Sequence, residues 1–266
     1  MRKILYYILT LLAISANAQL QDTSGWKMLR YKIQDETFFI KNSPNDATHY
    51  FKRGNAERDM KMYNEAIADF TKAIELNPER VWGVYYNRGN IYCRIQKWKE
   101  AKRDFSKAIE LDPKYIKAYF NRGLVNDSLN LNAEALKDFD KVIELDALYP
   151  DAYNTRGIIK VELKNYTEAL IDFEKAIKLN PDDVDGYYNC GRAETDRKNF
   201  VKAIEYFNKA IAIDKSRAYL YNSRGVAEEE LKKYNEAFID FKKATELDST
   251  NQGFKNNLKT IQSQKK

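Results

Sequence analysis

Apolar residues along most of this chain return at the three- and four-residue steps of a helical face, and the pattern restarts after short polar breaks. In the stretch from Pro150 to Asp183, Tyr153, Gly157 and Lys160 stand at i, i+4 and i+7. After a break at Lys164 and Asn165, Tyr166, Ala169, Phe173 and Ala176 repeat that spacing. Two amphipathic helices separated by a two-residue break predict a helical hairpin. The hairpin recurs: Tyr50/Gly54/Ala66/Phe70, Tyr85/Gly89/Ala101/Phe105, Tyr119/Gly123/Ala135/Phe139, Tyr153/Gly157/Ala169/Phe173, Tyr187/Gly191/Ala203/Phe207 and Tyr221/Gly225/Ala237/Phe241. Successive glycines stand 34 residues apart, with one step of 35. A fixed period of this length is the mark of a repeat array in which each unit buries its apolar face against its neighbours.

The repeated residue types predict how a unit packs. Glycine costs about 1 kcal/mol in a helix interior relative to alanine, so six at one register position predict close approach of the first helix to the second. The alanines allow the same from the other side, and the aromatic rings fill the wider gaps. Each second helix ends on Leu or Ile followed by Asn or Asp, as at Leu76/Asn77, Leu111/Asp112 and Ile213/Asp214. Pro78, Pro113 and Pro181 follow three of these ends and stop the helix locally. Lys72, Lys107, Lys141, Lys175, Lys209 and Lys243 follow Asp69, Asp104, Asp138, Asp172, Tyr206 and Asp240 by three residues. That spacing predicts a solvated ladder of weak i, i+3 pairs.

Composition narrows the chemistry. The chain has 266 residues with 45 Lys+Arg against 39 Asp+Glu, a net charge of +6 that argues only weakly for anionic partners. Arg2 and Lys3, the apolar run Ile4 to Ile14 and the small residues around Ala16 and Ala18 read as a secretion leader covering residues 1–18, cut before Gln19. A stretch of eleven residues falls short of the about 20 needed to cross a bilayer, so no membrane span is expected. The expected compartment is the periplasm or the exterior. Cys93 and Cys190 lie three units apart and are expected to remain unpaired. His49 is the single histidine, with no second ligand or base at its register, and no glycine-rich phosphate loop occurs. The expectation is a non-enzyme without metal or cofactor.

A 34-residue helix-turn-helix unit with Tyr, Gly, Ala, Phe, Ala and Pro at these registers resembles the tetratricopeptide repeat (TPR), in six units at 47–80, 82–115, 116–149, 150–183, 184–217 and 218–251. The resemblance implies an all-α fold, an α-solenoid in which the repeats wind into a right-handed superhelix. The usual early tryptophan is tyrosine in all six, and Val142 stands where the other units have alanine. Past the last unit, Phe254, Leu258 and Ile261 predict a C-terminal capping helix over 252–266. Within the N-terminal extension 19–46, residues 26–43 carry the pattern of a degenerate leading helix.

Proteins of the family bind peptides along a concave face made by the first helices, at their second, fifth, ninth and twelfth positions. Projected here, the fifth gives Phe51, Tyr86, Phe120, Asn154, Tyr188 and Asn222. The ninth gives Asn55, Asn90 and Arg192 among others, and the second gives Lys117. Aromatic rings and amides suit an extended peptide backbone. The carboxylate-clamping members of the family are matched at Asn55, Asn87 and Lys117, but Phe51 and Asn121 replace two of their basic groups, which argues against that ligand. The function implied is a non-catalytic adaptor for a peptide or protein partner whose identity stays unassigned. Two other readings are self-association, with the groove taking a second copy or the chain's own N-terminal extension, and RNA binding, which near-balanced charge and a leader oppose.

Overall fold

A computed structural model of the chain describes residues 23–77 and 81–264. The expected leader and Pro78 lie outside the described residues. Fourteen α-helices and no strands occur among the described residues, and the fold is an α-solenoid. The chain divides into two compact units, Met1–Asp146 and Ala147–Lys266. The first holds α1 (Thr23–Asn42) and three hairpins: α2 (Ala47–Asp59) with α3 (Tyr63–Leu76), α4 (Trp82–Arg94) with α5 (Trp98–Leu111), and α6 (Ile116–Ser128) with α7 (Asn132–Leu145). The second holds α8 (Pro150–Glu162) with α9 (Tyr166–Leu179), α10 (Val184–Asp196) with α11 (Phe200–Ile213), α12 (Ala218–Glu230) with α13 (Tyr234–Leu247), and a closing α14 (Gln252–Gln264). In each unit a second helix packs on the next first helix, and first helices touch in sequence: α2, α4 and α6 in one unit, α8, α10 and α12 in the other.

The core of every hairpin is one phenylalanine driven against one glycine. Phe70, Phe105, Phe139, Phe173, Phe207 and Phe241 are fully buried. A Cβ added to Gly54 would sit 2.9 Å from the Phe70 ring, and one added to Gly191 would sit 2.5 Å from the Phe207 ring. No β-carbon fits there, which explains the glycine against its helix propensity. The break between helices has its own geometry. Lys61, Gln96, Asn130, Lys164, Lys198 and Lys232 each take a left-handed φ of 58–63°. Around Lys61, the Met62 N–H donates to the Glu57 carbonyl and the Lys61 N–H to the Arg58 carbonyl, closing the helix as a Schellman motif with a residue other than glycine at its left-handed position.

The charge ladder differs from the expectation. Asp69, Asp104, Asp138, Asp172 and Asp240 are at most 5% exposed. Each takes paired hydrogen bonds from an arginine of its partner helix: Arg53, Arg88, Arg122, Arg156 and Arg224. The lysines reach the other way, Lys72 to Glu75 and Lys107 to Glu110. A planar guanidinium offers two parallel donors to a carboxylate, whereas an ammonium is a point charge satisfied at the surface. The arginines also tie neighbouring hairpins, because Arg88 Nη1 donates to Thr71 on α3 and Arg122 Nη1 to Ser106 on α5. Arg53 Nη1 bonds Thr37 of α1 in the same way, so α1 stands where a preceding second helix would stand. His49 fastens the junction, its Nδ1 2.7 Å from Glu36 and its ring stacked on Phe39. At the other end, α14 lies where a seventh first helix would lie, with Ile261 fully buried beside Ala237 and Phe241.

Candidate functional site

The first helices of the initial unit line an open cavity of about 410 Å³. Arg58 and Asp59 come from the end of α2, Tyr86, Asn90, Cys93 and Arg94 from α4, and Phe120, Asn121, Leu124 and Val125 from α6. Helical spacing brings these residues together: side chains three, four or seven apart on α4 face one way, and first helices in contact place such faces side by side. The walls are apolar where Tyr86, Phe120, Leu124 and Val125 meet. The Tyr86 ring lies 5.8 Å from Phe105 and edge-on to Tyr115 at 4.9 Å, so core packing holds it in place. Arg58 is bonded to Asp59 at 2.9 Å, while Arg94 is exposed at the rim. Burial pushes the Cys93 thiol up to about 12, so this wall carries a neutral thiol rather than a nucleophile.

The structure gathers Tyr86, Asn90 and Phe120 of the projected ligand positions into this cavity. Phe51 is spent on packing, tilted against Phe70 at 6.0 Å. Lys117 is exposed on the first turn of α6 and is not part of the cavity wall. The amides are largely engaged with one another. Asn87 Nδ2 donates to Asn55 Oδ1 at 2.9 Å, and Asn121 Nδ2 donates to Asn90 Oδ1 at 2.8 Å. These clasps join successive first helices, which uses carbonyl oxygens that the sequence offers to a ligand. The twelfth register position, Arg58 on α2 and Cys93 on α4, supplies further cavity residues, and Arg94 lies one step beyond it.

The second unit repeats the clasp. Asn189 donates to Asn154 at 2.9 Å and Asn257 of α14 donates to Asn222 at 2.8 Å. Asn154 is only 5% exposed, which corrects its projection as a ligand contact: its carbonyl oxygen is an interior acceptor already satisfied. Tyr188 packs edge-on to Tyr219 at 4.7 Å, with the Arg192 guanidinium 5.8 Å from the Tyr188 ring centre. Tyr188 and Arg192 therefore make a stacked pair on the first-helix face of this unit. Cys190 is buried and unpaired, and Cys93 is half-buried and unpaired.

Among the described residues, no group of three or more His, Cys, Asp and Glu side chains is placed to hold a metal ion. No helix among them is long and apolar enough to cross a membrane.

The fold has clear counterparts among solved structures. YrrB, a TPR protein described as having an unusual peptide-binding site, is 28% identical, with 68% of this chain and 92% of that one covered and a TM-score of 0.60. MamA is 26% identical over 64% of this chain and 92% of its own, with a TM-score of 0.59. The C-terminal part of a TPR repeat-containing protein from Cytophaga hutchinsonii is 19% identical and shares the fold over 88% of this chain and 96% of its own, with a TM-score of 0.71. Comparison with curated proteins gives no match. Two family models, each described as tetratricopeptide repeat, match residues 47–80, 83–115 and 150–183, and residues 116–147, 184–217 and 218–251. With all six hairpins matched, the chain belongs to the tetratricopeptide repeat family.

Proposed function

We propose that this protein is a non-catalytic adaptor that binds an extended segment of another protein on the first-helix face of its initial unit, outside the cytoplasm. A TPR solenoid is a protein-interaction scaffold, and YrrB, similar over most of its length, carries a peptide-binding site. The observation that carries the reading is the cavity of about 410 Å³ walled by Tyr86, Phe120, Leu124 and Val125, with Arg58 and Arg94 at its edge. Its size suits a side chain or a short peptide stretch. An apolar floor beside an unneutralised guanidinium favours an apolar anchor residue next to an acidic one. The absence of catalysis is supported by the fates of the titratable groups: the repeated aspartates are held by arginines, and burial keeps both thiols protonated. The compartment rests on the leader pattern of residues 1–18.

Selection of a displayed peptide library on the purified protein tests the site. Sequences with an apolar residue beside Asp or Glu should be enriched and should lose at least about tenfold in affinity to Arg94→Glu and Leu124→Asp variants. Enrichment without such a loss refutes the cavity. N-terminal sequencing of the exported protein should begin at Gln19, and an intact Met1 in the cytosolic fraction would refute the compartment.

A further inference from the structure

Helix α1 is apolar on two sides. One stripe, Leu29, Ile33, Glu36 and Ile40, turns inward, with Glu36 buried against His49. The opposite stripe is Met28, Tyr31, Asp35, Phe38 and Asn42, stepping by three and four residues like the a and d positions of a heptad, with Lys32 and Phe39 beside it. All of these are exposed, Met28 at 70%, Phe38 at 64%, Tyr31 at 53% and Phe39 at 46%. Three aromatic rings and a methionine in one place make a surface on the order of several hundred Å², at the upper end of what a monomer leaves uncovered.

Its own chemistry identifies what covers it. The closing helix α14 presents Lys255, Asn256, Lys259 and Gln262 to solvent, so head-to-tail stacking would set aromatics against a polar, basic face. An anionic lipid surface fits poorly as well, because Asp35 stands in the middle of the stripe. The surface is complementary to itself. Two α1 helices laid antiparallel about a two-fold axis level with residue 33 put Met28 over Phe38 of the second copy at both ends. At the centre, each Asp35 then meets the Tyr31 hydroxyl and Lys32 ammonium of the opposite helix. A parallel pairing would oppose Asp35 to Asp35 and is disfavoured. We infer that α1 is a homodimer interface, formed by antiparallel, two-fold pairing of its Met28–Tyr31–Asp35–Phe38 face with that of a second copy. This isologous contact closes on itself and leaves the first-helix cavity of each copy available to its own ligand.

Sedimentation equilibrium of the protein purified after expression with its native leader tests the pairing. Wild type should dimerise in the micromolar range. Phe38→Glu should be monomeric with an unchanged helical circular dichroism spectrum, since Phe38 is solvent-exposed. Asp35→Lys should weaken the dimer by about tenfold or more, as like charges then face each other across the axis. Combining it with Lys32→Asp should restore most of the loss, a rescue that only the antiparallel register allows. A wild type that stays monomeric at 100-fold higher concentration overturns the inference. So does Asp35→Lys without effect, or a double variant without rescue. Binding of a monomeric wild type to phosphatidylglycerol vesicles through the same face would overturn it in favour of lipid.

Discussion

At the residue scale, the contact that defines each hairpin is a glycine against a ring. Because the gap is smallest at Gly191, where an added Cβ would lie 2.5 Å from Phe207, Gly191→Ala should destabilise its unit. The expected loss is about 1–3 kcal/mol, larger than for Gly54→Ala, and is read from chemical denaturation. A second residue-scale feature is acid-base. Glu57 and Glu228 lie beside Asp69 and Asp240 on the register one turn after the arginine, and burial, then repulsion from those aspartates, raises both to about 7 from 4.5. Between those values each of these groups holds more proton in the folded chain than in the unfolded one, so its own contribution to stability is full below pH 4.5 and is lost as pH rises through 7. Glu57→Gln and Glu228→Gln should flatten that slope, each by on the order of 1 kcal/mol, in melts recorded across pH. The left-handed lysines gave no signal in sequence, because a lone Lys in a polar break looks like any exposed residue. Only the backbone shows that Lys61 and Lys164 carry a φ that glycine adopts without cost.

At the element scale, each hairpin is clamped by an arginine on its first helix and an aspartate on its second, and the fifth is the exception. There Cys190 and Tyr206 occupy the two positions, and the Tyr206 hydroxyl donates to Glu174 on α9 instead. Both partners have changed together, as expected when an unpaired buried charge is more costly than no charge. Cys190→Arg alone should place such a charge beside α11, and Tyr206→Asp alone should leave a carboxylate without its guanidinium. Each should cost about 2 kcal/mol or more, while the double variant should lose clearly less than the sum, a coupling that a double-mutant cycle measures. The arginines recur at one register in five of the six units, but nothing in local spacing points to their partners. Asp69 is three residues from Lys72 on one helix and sixteen from Arg53 on another, and local spacing favours the nearer cation until burial removes it from reach.

At the scale of the whole molecule, the contacts within each unit join a helix only to helices of its own and the adjoining hairpin, so a disturbance should stay local. Ile261 seals the last hairpin against Ala237 and Phe241. Ile261→Ala should raise amide exchange in α12, α13 and α14 by a factor consistent with about 2–4 kcal/mol, with exchange in α2 to α5 unchanged. Uniform acceleration throughout the chain would contradict nearest-neighbour stability. The two ends are also unlike each other. α14 closes the array with a polar outer face, whereas α1 leaves one covered in exposed aromatics.

The sequence by itself determined the hairpin, its period, its six copies and the stops between them, because these depend on residue type at fixed spacing along one helix or two adjoining ones. The tertiary structure decided what depends on distance through space. Aspartates near lysines in sequence are buried against arginines, amides projected toward a ligand clasp their neighbours, and one twelfth-position arginine joins the rim of a cavity that α2, α4 and α6 line together. The physical reason is that a polar side chain's role follows from which partner reaches it once water is excluded, and that partner belongs to another helix.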